Sequence, residues 1–416
     1  MKVKKTETVK NYDKSREYIS VLDGVRAFAI LMVVIYHYWQ QSWLSGIKIP
    51  FLQGTSWGDF PPRPFFANGS LFVEVFIILT GFCLFLPYAK SMFEKDINPD
   101  SPLTFYKKRA VRLLPSIWFS LIIWSVLFIR VTDYATTKDF VIDILDNFLV
   151  LRGTNLFSHA GTKFAAAGVL WTVTIEIFFY VIFPFVARLF KKWPVQTAAV
   201  MVIVGETYTL LRALPQIEAG QTDFHRGFLC YMGSFALGMM GAYTYHCVKR
   251  SEWMSKKYSR AIVTAISLAG LFSALWLIWS YYDSHRGADM QAKLRLPLAL
   301  CFTVFIVALC FSAKWLRVIF ANPVTKFLSG ISLNIYIWHM FFALKFKEWR
   351  LPWYPDNTTG ASAWPQSGGF EGHLTWQILY LVLCWTATIV TAVLVTYFIE
   401  KPVAKWLLKK KNGKNK

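Results

Sequence analysis

The chain has 416 residues, of which 55% are hydrophobic, and a formal net charge of +21 at pH 7. Its mean hydropathy is +0.39, and apolar runs of about twenty residues recur along it, which excludes an ordinary soluble domain. Lysine and arginine cluster between these runs, so we interpret the charge as a membrane-orientation signal and expect no nucleic-acid partner. The six cysteines form no CxxC pair, so we expect neither a disulfide framework nor a metal site.

The apolar runs predict about ten membrane-spanning helices, and basic residues flank every second connection and both termini. The predicted spans are about 22–42, 68–89, 112–131, 167–190, 195–212, 226–247, 260–281, 294–312, 326–345 and 375–399. The expected fold is an all-α, polytopic integral membrane bundle with both termini in the cytoplasm. Residues 1–20 are expected to be a cytoplasmic segment without a cleavable signal, 21–403 the transmembrane domain, and 404–416 a basic cytoplasmic tail.

The first span contains two ionisable residues that are costly to bury. Arg26 and His37 are eleven residues apart, close to three helical turns, so both point from one face at a separation of about 16 Å. Such residues usually face a protein interior or a wet cavity and mark a functional path. The alternative is that Arg26 reaches the cytoplasmic surface and His37 lies at the opposite interface.

Three other spans place titratable residues at a depth similar to that of His37. These are Glu74, Glu176 and His339, and together the four predict a shared polar pocket. A carboxylate could hold the imidazole in one tautomer, so that its other nitrogen deprotonates a hydroxyl. The alternative is that each is a separately satisfied buried group.

A basic cluster, KKRAVR at residues 107–112, stands where the third span is predicted to begin. Arg109 and Arg112 are three residues apart on one helix face, and a pair of guanidinium groups suits phosphate or pyrophosphate. The alternative is an ordinary positively charged flank. With no serine, cysteine or threonine marked as a nucleophile, the pattern favours direct attack of an acceptor hydroxyl on a cytoplasmic thioester.

The outer connections are rich in glycine, proline and aromatic residues, at 45–67 and 346–374. Such stretches suit a sugar-like or amphiphilic acceptor, or aromatic residues at the membrane interface. Residues 132–166 contain an apolar piece too short to cross, which predicts an interfacial or re-entrant helix.

Several motifs, in order along nearly all the spans, resemble membrane acyltransferase family three, the O-acetyltransferase-like integral membrane proteins. They are LDGVRAFAILMVVIYH, FVEVFIILTGF, FYKKRAVRLLPSIW, LWTVTIEIFFYVIFP, LSGISLNIYIWH and FIEKP. The resemblance implies a multi-pass protein of the plasma membrane, which in bacteria is the inner membrane. It also implies an acyl-CoA donor, usually acetyl-CoA, and an acceptor that is a cell-surface carbohydrate, peptidoglycan, a lipid-linked sugar (a glycolipid) or a small natural product.

On the matching positions, the resemblance implies that His37 is the catalytic histidine and Arg26 its partner. Arg109 and Arg112 match the arginine pair linked to the donor, and Glu176 matches an acidic residue of the catalytic site. We group Lys108 with the donor-binding arginines. Four further residues are expected to bind the substrate: Glu74, Trp171, Tyr336 and His339.

The chain departs from the family pattern at a few positions. Ala27 stands where glycine is usual, Glu74 where aspartate is usual, and Thr80 where serine is usual. Ile177 replaces a second acidic residue after Glu176, which weakens any mechanism that needs a carboxylate pair there. Some relatives carry a fused extracytoplasmic hydrolase-like domain; we expect this chain to end after its tenth span, so that a further relay partner would be a separate protein.

We therefore predict an integral membrane O-acyltransferase whose lipid surroundings and acyl-CoA donor are its main partners. A transporter or flippase of a small solute or lipid-linked sugar is the alternative, with buried histidine and glutamate relaying protons. A third reading is a sensor or scaffold that binds a partner through its outer loops. The sequence leaves the oligomeric state open.

Overall fold

The computed structural model describes residues 17–42, 66–151, 168–220, 226–281, 287–352 and 374–409. The first seven α-helices are α1 (Val21–Ser42), α2 (Val73–Phe93), α3 (Pro102–Phe128), α4 (Thr137–Phe148), α5 (Trp171–Lys192), α6 (Pro194–Tyr208) and α7 (Leu214–Glu218). The other seven are α8 (Met232–Arg250), α9 (Ser259–Ser280), α10 (Gly287–Phe311), α11 (Lys314–Phe320), α12 (Pro323–Glu348), α13 (Leu374–Val395) and α14 (Lys401–Leu408). No β-strand occurs in these ranges, and the prediction of an all-α fold is confirmed.

Within the described ranges, nine helical stretches are long and apolar enough to cross a membrane. They match nine of the ten predicted spans: Val21–Ser42, Gly69–Phe93, Pro102–Phe128, Trp171–Lys192, Pro194–Glu218, Ser259–Ser280, Gly287–Phe311, Lys314–Glu348 and Trp376–Leu408. The one predicted span not among these nine is the sixth, 226–247. It forms α8, which is helical but less apolar because it is rich in glycine and other small residues. The chain is therefore a multi-pass membrane bundle.

Helix α3 begins ten residues before the predicted start of the third span. Pro102 occupies its first turn, and the Ser101 hydroxyl caps it by accepting a hydrogen bond from the Thr104 N–H at 3.4 Å. The basic cluster at 107–112 therefore lies inside a helix, about one and a half to three turns from its start. This placement gives the arginine side chains a fixed direction across the bundle.

Glycine allows α2 and α8 to approach each other closely. A Cβ atom on Gly81 would lie 2.3 Å from the Phe235 carbonyl oxygen, and one on Gly238 would lie 2.2 Å from the Ile78 carbonyl oxygen. Small residues at such crossings are typical of membrane helix pairs, where backbone contact replaces the hydrophobic driving force. This crossing fixes α2, which forms one wall of the cavity described below.

The last membrane helix contains a π-helical segment, Thr396–Glu400, between α13 and α14. The Glu400 carboxylate accepts hydrogen bonds from Ser116 Oγ at 3.2 Å and from Asn334 Nδ2 at 2.7 Å. The segment thus connects the end of the chain to α3 and α12. Single π-helical turns of this kind are frequent at functional sites.

The short apolar piece predicted within 132–166 forms the helix α4. Most of the aromatic connections at 45–67 and 346–374 lies outside the described residues, as do residues 1–16 and 410–416. The positions of the termini and the division into three segments stay predictions.

Candidate active site

A cavity of about 860 Å³, its open mouth included, lies between α1, α2, α3, α5 and α12. Its polar lining residues are Arg26, Thr80, Cys83, Arg109, Arg112, Thr172, Glu176, Tyr180, Ser332 and Tyr336. Five of the ten predicted site residues are among them, namely Arg26, Arg109, Arg112, Glu176 and Tyr336. Spans far apart in the sequence therefore meet around one polar space.

The α3 arginines form the basic end of this cavity. The guanidinium carbon of Arg109 lies 5.5 Å from the ring centroid of Phe105 and 5.8 Å from that of Tyr180, so two aromatic rings hold the group in place. Its buried Nε atom has no hydrogen-bond partner among the described residues. Arg112, one turn further on, is exposed to the cavity. A buried guanidinium donor without a protein acceptor, one turn from a second guanidinium that faces the cavity, fits an anionic ligand.

Helix α5 contributes a polar stripe to the cavity wall. Thr172, Glu176 and Tyr180 are four residues apart, which places them on one face and spans about 12 Å along the axis. The Tyr180 hydroxyl donates a hydrogen bond to Glu176. Arg112 is close enough for electrostatic interaction with both Glu176 and Glu400. Glu176 therefore acts on the basic end of the cavity.

Arg26 reaches the cavity from α1 and is tied to α12. Its Nη1 atom donates to Ser329 Oγ at 3.2 Å and lies 3.8 Å from the Asp23 carboxylate. The Ser329 hydroxyl in turn donates to Asp23 at 2.9 Å. This network orients the Arg26 guanidinium and offsets part of its charge.

Two of the hydroxyl groups that line the cavity lie at the Thr172 end of the α5 stripe, away from Arg109. The Tyr336 hydroxyl donates to the Val169 carbonyl oxygen at 2.6 Å and accepts from Thr172 Oγ1 at 2.7 Å. These bonds join α12 to the start of α5.

His37 is not among the residues that line the cavity, and it is held in one tautomer. Its Nδ1 atom is 3.2 Å from Gln40 Oε1, and because an amide oxygen only accepts, Nδ1 carries the proton. Gln40 is fixed by its Nε2, which donates to the Tyr36 hydroxyl at 2.7 Å. The Nε2 atom of His37 therefore has a lone pair available to accept a proton.

His339 lies beside His37, with ring centroids 5.1 Å apart, and its ring is 5.6 Å from that of Tyr336. The predicted grouping of these two histidines is thus found in the structure. Tyr336 links them to the cavity, because it contributes to the lining on one side and contacts His339 on the other.

The predicted grouping of both carboxylates with these histidines is not formed. Glu176 bonds to Tyr180, and Glu74 accepts from Arg295 Nε at 3.0 Å and from Ser234 Oγ at 2.6 Å. The Glu74–Arg295 pair is almost completely buried. The direction in which each side chain points around its helix was not readable from the sequence.

Two other predicted residues face away from the cavity lining. Lys108 forms an ion pair with Asp100, with Nζ 2.5 Å from Oδ1. Trp171 packs under the Arg226 guanidinium, whose carbon lies 5.5 Å from the ring centroid. Arg226 also interacts electrostatically with His37 and Tyr336, so Trp171 belongs to the histidine end of the site.

Sequence reasoning missed several residues that hold the site together. Gln40 and Tyr180 were detectable, since each lies within one helical turn of a predicted site residue, at His37 and Glu176 respectively. Arg295 was not, because its partner lies more than two hundred residues away in the chain. Among the described residues, no group of three or more His, Cys, Asp or Glu side chains could hold a metal ion.

Comparisons with known proteins agree with the resemblance of the motifs. The family profile described as "Acyltransferase domain" matches residues 19–396. The peptidoglycan O-acetyltransferase OatA of Listeria monocytogenes is 23% identical over 338 residues, which cover 78% of this chain and 49% of that protein. The Bacillus subtilis protein named "Putative peptidoglycan O-acetyltransferase YrhL" is 23% identical over 405 residues, 93% of this chain and 55% of that protein.

A Staphylococcus aureus protein named as a "Putative O-acetyltransferase" is 22% identical over 80% of this chain and 52% of its own length. The chain thus spans about half the length of the curated relatives it matches. No solved structure matches the chain significantly.

Proposed function

We propose, since the chain belongs to the acyltransferase family, that it is an O-acetyltransferase of the plasma membrane. It would move an acetyl group from acetyl-CoA to a hydroxyl of a cell-surface carbohydrate or glycolipid. The observation that carries this proposal is the cavity itself, which has three arginines toward one end and a histidine with an available lone pair just beyond the other. The relatives named as peptidoglycan O-acetyltransferases support a glycan acceptor.

The donor would bind at the basic end of the cavity. Coenzyme A carries phosphate groups, and Arg109 and Arg112 offer guanidinium donors on one helix face at the cavity wall. Because Lys108 is paired with Asp100, we assign the donor contacts to the two arginines. Glu176 and Tyr180 would hold these arginines in position. The acyl end of the donor would then extend along the α5 stripe toward Tyr336.

Catalysis would follow from the tautomer that Gln40 imposes on His37. The Nε2 lone pair accepts the proton of the acceptor hydroxyl while its oxygen forms a bond to the thioester carbonyl carbon. The carbon–sulfur bond then breaks, and the coenzyme A thiolate leaves and takes the proton from His37. Arg26 would line the donor path. With the arginine end in the cytoplasm, as the positive-inside pattern predicts, the acetyl group crosses the membrane during transfer.

The decisive experiment uses the full chain in proteoliposomes with radiolabelled acetyl-CoA and cell-wall glycan fragments. We expect release of free coenzyme A thiol together with label in the glycan. His37→Ala should lower kcat by about 10²- to 10⁴-fold with donor affinity retained. A folded His37→Ala protein with wild-type transfer would refute the assignment. Movement of a solute without thiol release would instead support the transporter alternative.

The arginine pair is tested by donor affinity. A charge-assisted hydrogen bond contributes about 1.5–3 kcal/mol, so losing both side chains should raise the KM for acetyl-CoA about a hundredfold or more. Because the interaction is ionic, the effect should shrink as salt is added. Arg260→Ala is the matched control, since Arg260 is exposed on α9 and does not line the cavity. Equal KM values for the double variant and the control would remove the donor site from α3.

A further inference from the structure

His339 has one ring nitrogen that the fold leaves unused. The side chain is fully buried, and its Nδ1 atom lies 2.7 Å from the Tyr336 carbonyl oxygen and 3.2 Å from that of Ile335. A carbonyl oxygen only accepts, so Nδ1 carries the proton and Nε2 keeps a lone pair. This buried Nε2 has no hydrogen-bond partner among the described residues. Burying an acceptor without a partner is costly, which points to a use in function.

The neighbouring imidazole of His37 needs such an acceptor when it becomes protonated. Its own hydrogen-bond partner is the amide of Gln40, which fixes the tautomer but carries no negative charge. The guanidinium of Arg226 interacts electrostatically with the ring and disfavours a second positive charge. The two carboxylates that were predicted to lie beside it bind other residues: Glu74 accepts from Arg295, and Glu176 accepts from Tyr180. Among the described residues, the ring of His339, whose centroid is 5.1 Å from that of His37, offers an unused acceptor nitrogen that could share the proton.

We propose that His339 is the positioning residue for His37, and that its Nε2 accepts the hydrogen bond of the imidazolium formed during transfer. This inference rests on the proposed function. The proton taken from the acceptor hydroxyl sits on His37 Nε2, is shared with His339 Nε2 after a small rotation of the rings, and passes to the departing thiolate. No net charge is gained by the protein over one cycle, and no further reactant is needed. An imidazole pair thus takes the place of a carboxylate–imidazole pair.

The first test compares three variants in the proteoliposome assay. His339→Phe keeps a planar ring without an acceptor and should lower kcat about a hundredfold, with the KM for acetyl-CoA within twofold of wild type. His339→Gln offers an amide oxygen as acceptor, and its kcat should be about tenfold higher than that of His339→Phe. His246→Phe is the matched control, since His246 is equally buried on α8 but lies outside the site; it should retain wild-type kcat. Thermal unfolding and coenzyme A binding show whether each variant is folded.

A second readout does not depend on acyl transfer. In protein labelled with ¹⁵N-histidine and acidified until His37 binds its second proton, a shared proton should produce a nitrogen–nitrogen coupling between the two Nε2 atoms. That coupling should vanish in His339→Gln. Wild-type kcat in a folded His339→Phe protein, or absence of the coupling in the wild type, overturns the inference alone. Full activity of His37→Ala would instead overturn the proposed function, so the two failures are distinguishable.

Discussion

The crossing of α2 and α8 gives a sharp test of the fold, through the substitution Gly81→Ala. The added methyl group would lie 2.3 Å from the Phe235 carbonyl oxygen, whereas ordinary contacts begin at 3.4 Å. The methyl carbon would therefore be about 1.1 Å too close to this oxygen. Because the oxygen belongs to the backbone, no side-chain rotation can relieve the clash. The two helices must move apart along their contact.

Overpacking typically lowers the free energy of unfolding by about 1–3 kcal/mol. We expect about 3 kcal/mol for Gly81→Ala, because the backbone must shift. Alanine regains up to about 1 kcal/mol over glycine in a helix, so the net loss is about 2 kcal/mol. The control Gly330→Ala is also in a helix, on α12, but its added methyl group meets nothing within 4 Å. That variant should be neutral or slightly stabilised.

Thermal unfolding in detergent, followed by tryptophan fluorescence, measures both variants. Gly81→Ala should unfold about 5 °C below Gly330→Ala. Because α2 contributes Ile77, Thr80 and Cys83 to the cavity wall, donor affinity should fall as well. Equal midpoints for the two variants would show that α2 and α8 are not in backbone contact, and the arrangement of the cavity would have to be revised.

Three further outcomes follow from single contacts. Glu74→Gln leaves the Arg295 charge buried without its counter-ion, which should cost about 3–5 kcal/mol in detergent unfolding; an unchanged midpoint would contradict the pairing. Gln40→Ala removes the bond that selects the imidazole tautomer and should lower kcat about five- to tenfold in the transfer assay, and an unaltered kcat would show that the amide is dispensable. Glu400→Gln removes a negative charge near Arg112, which makes the basic end of the cavity more positive, and should lower the KM for acetyl-CoA several-fold at constant kcat; equal KM values would rule out that influence.

The spans were predictable because an apolar run of about twenty residues has few uses other than crossing a bilayer. The same-face placement of Arg26 and His37 followed from helical periodicity alone. The start of α3 was also readable, since Ser101 before Pro102 is a helix-start signal. The pattern of apolar runs did not indicate this start, because the first turns of α3 contain basic residues. In α8, small residues such as Gly238 lowered the hydropathy while improving the packing.

The contacts between spans were not predictable, because hydropathy carries no information on which way a side chain points around its helix. Glu74 and His37 were predicted at similar depths, yet Glu74 pairs with Arg295 from a span that follows much later. The imidazole of His37 instead donates a hydrogen bond to the amide oxygen of Gln40. Such pairings depend on which helices are neighbours, and that is fixed by close packing across the whole bundle.

A cell that stores energy as an ion gradient cannot tolerate a continuous water column through its envelope. The hydrogen-bonded hydroxyls of Tyr336 and Thr172 stand between the arginine-lined space and the two imidazoles. If the proposed transfer takes place here, this hydrogen bond must open for the thioester to reach His37, and its closure between turnovers would keep protons and cations from passing along the same path.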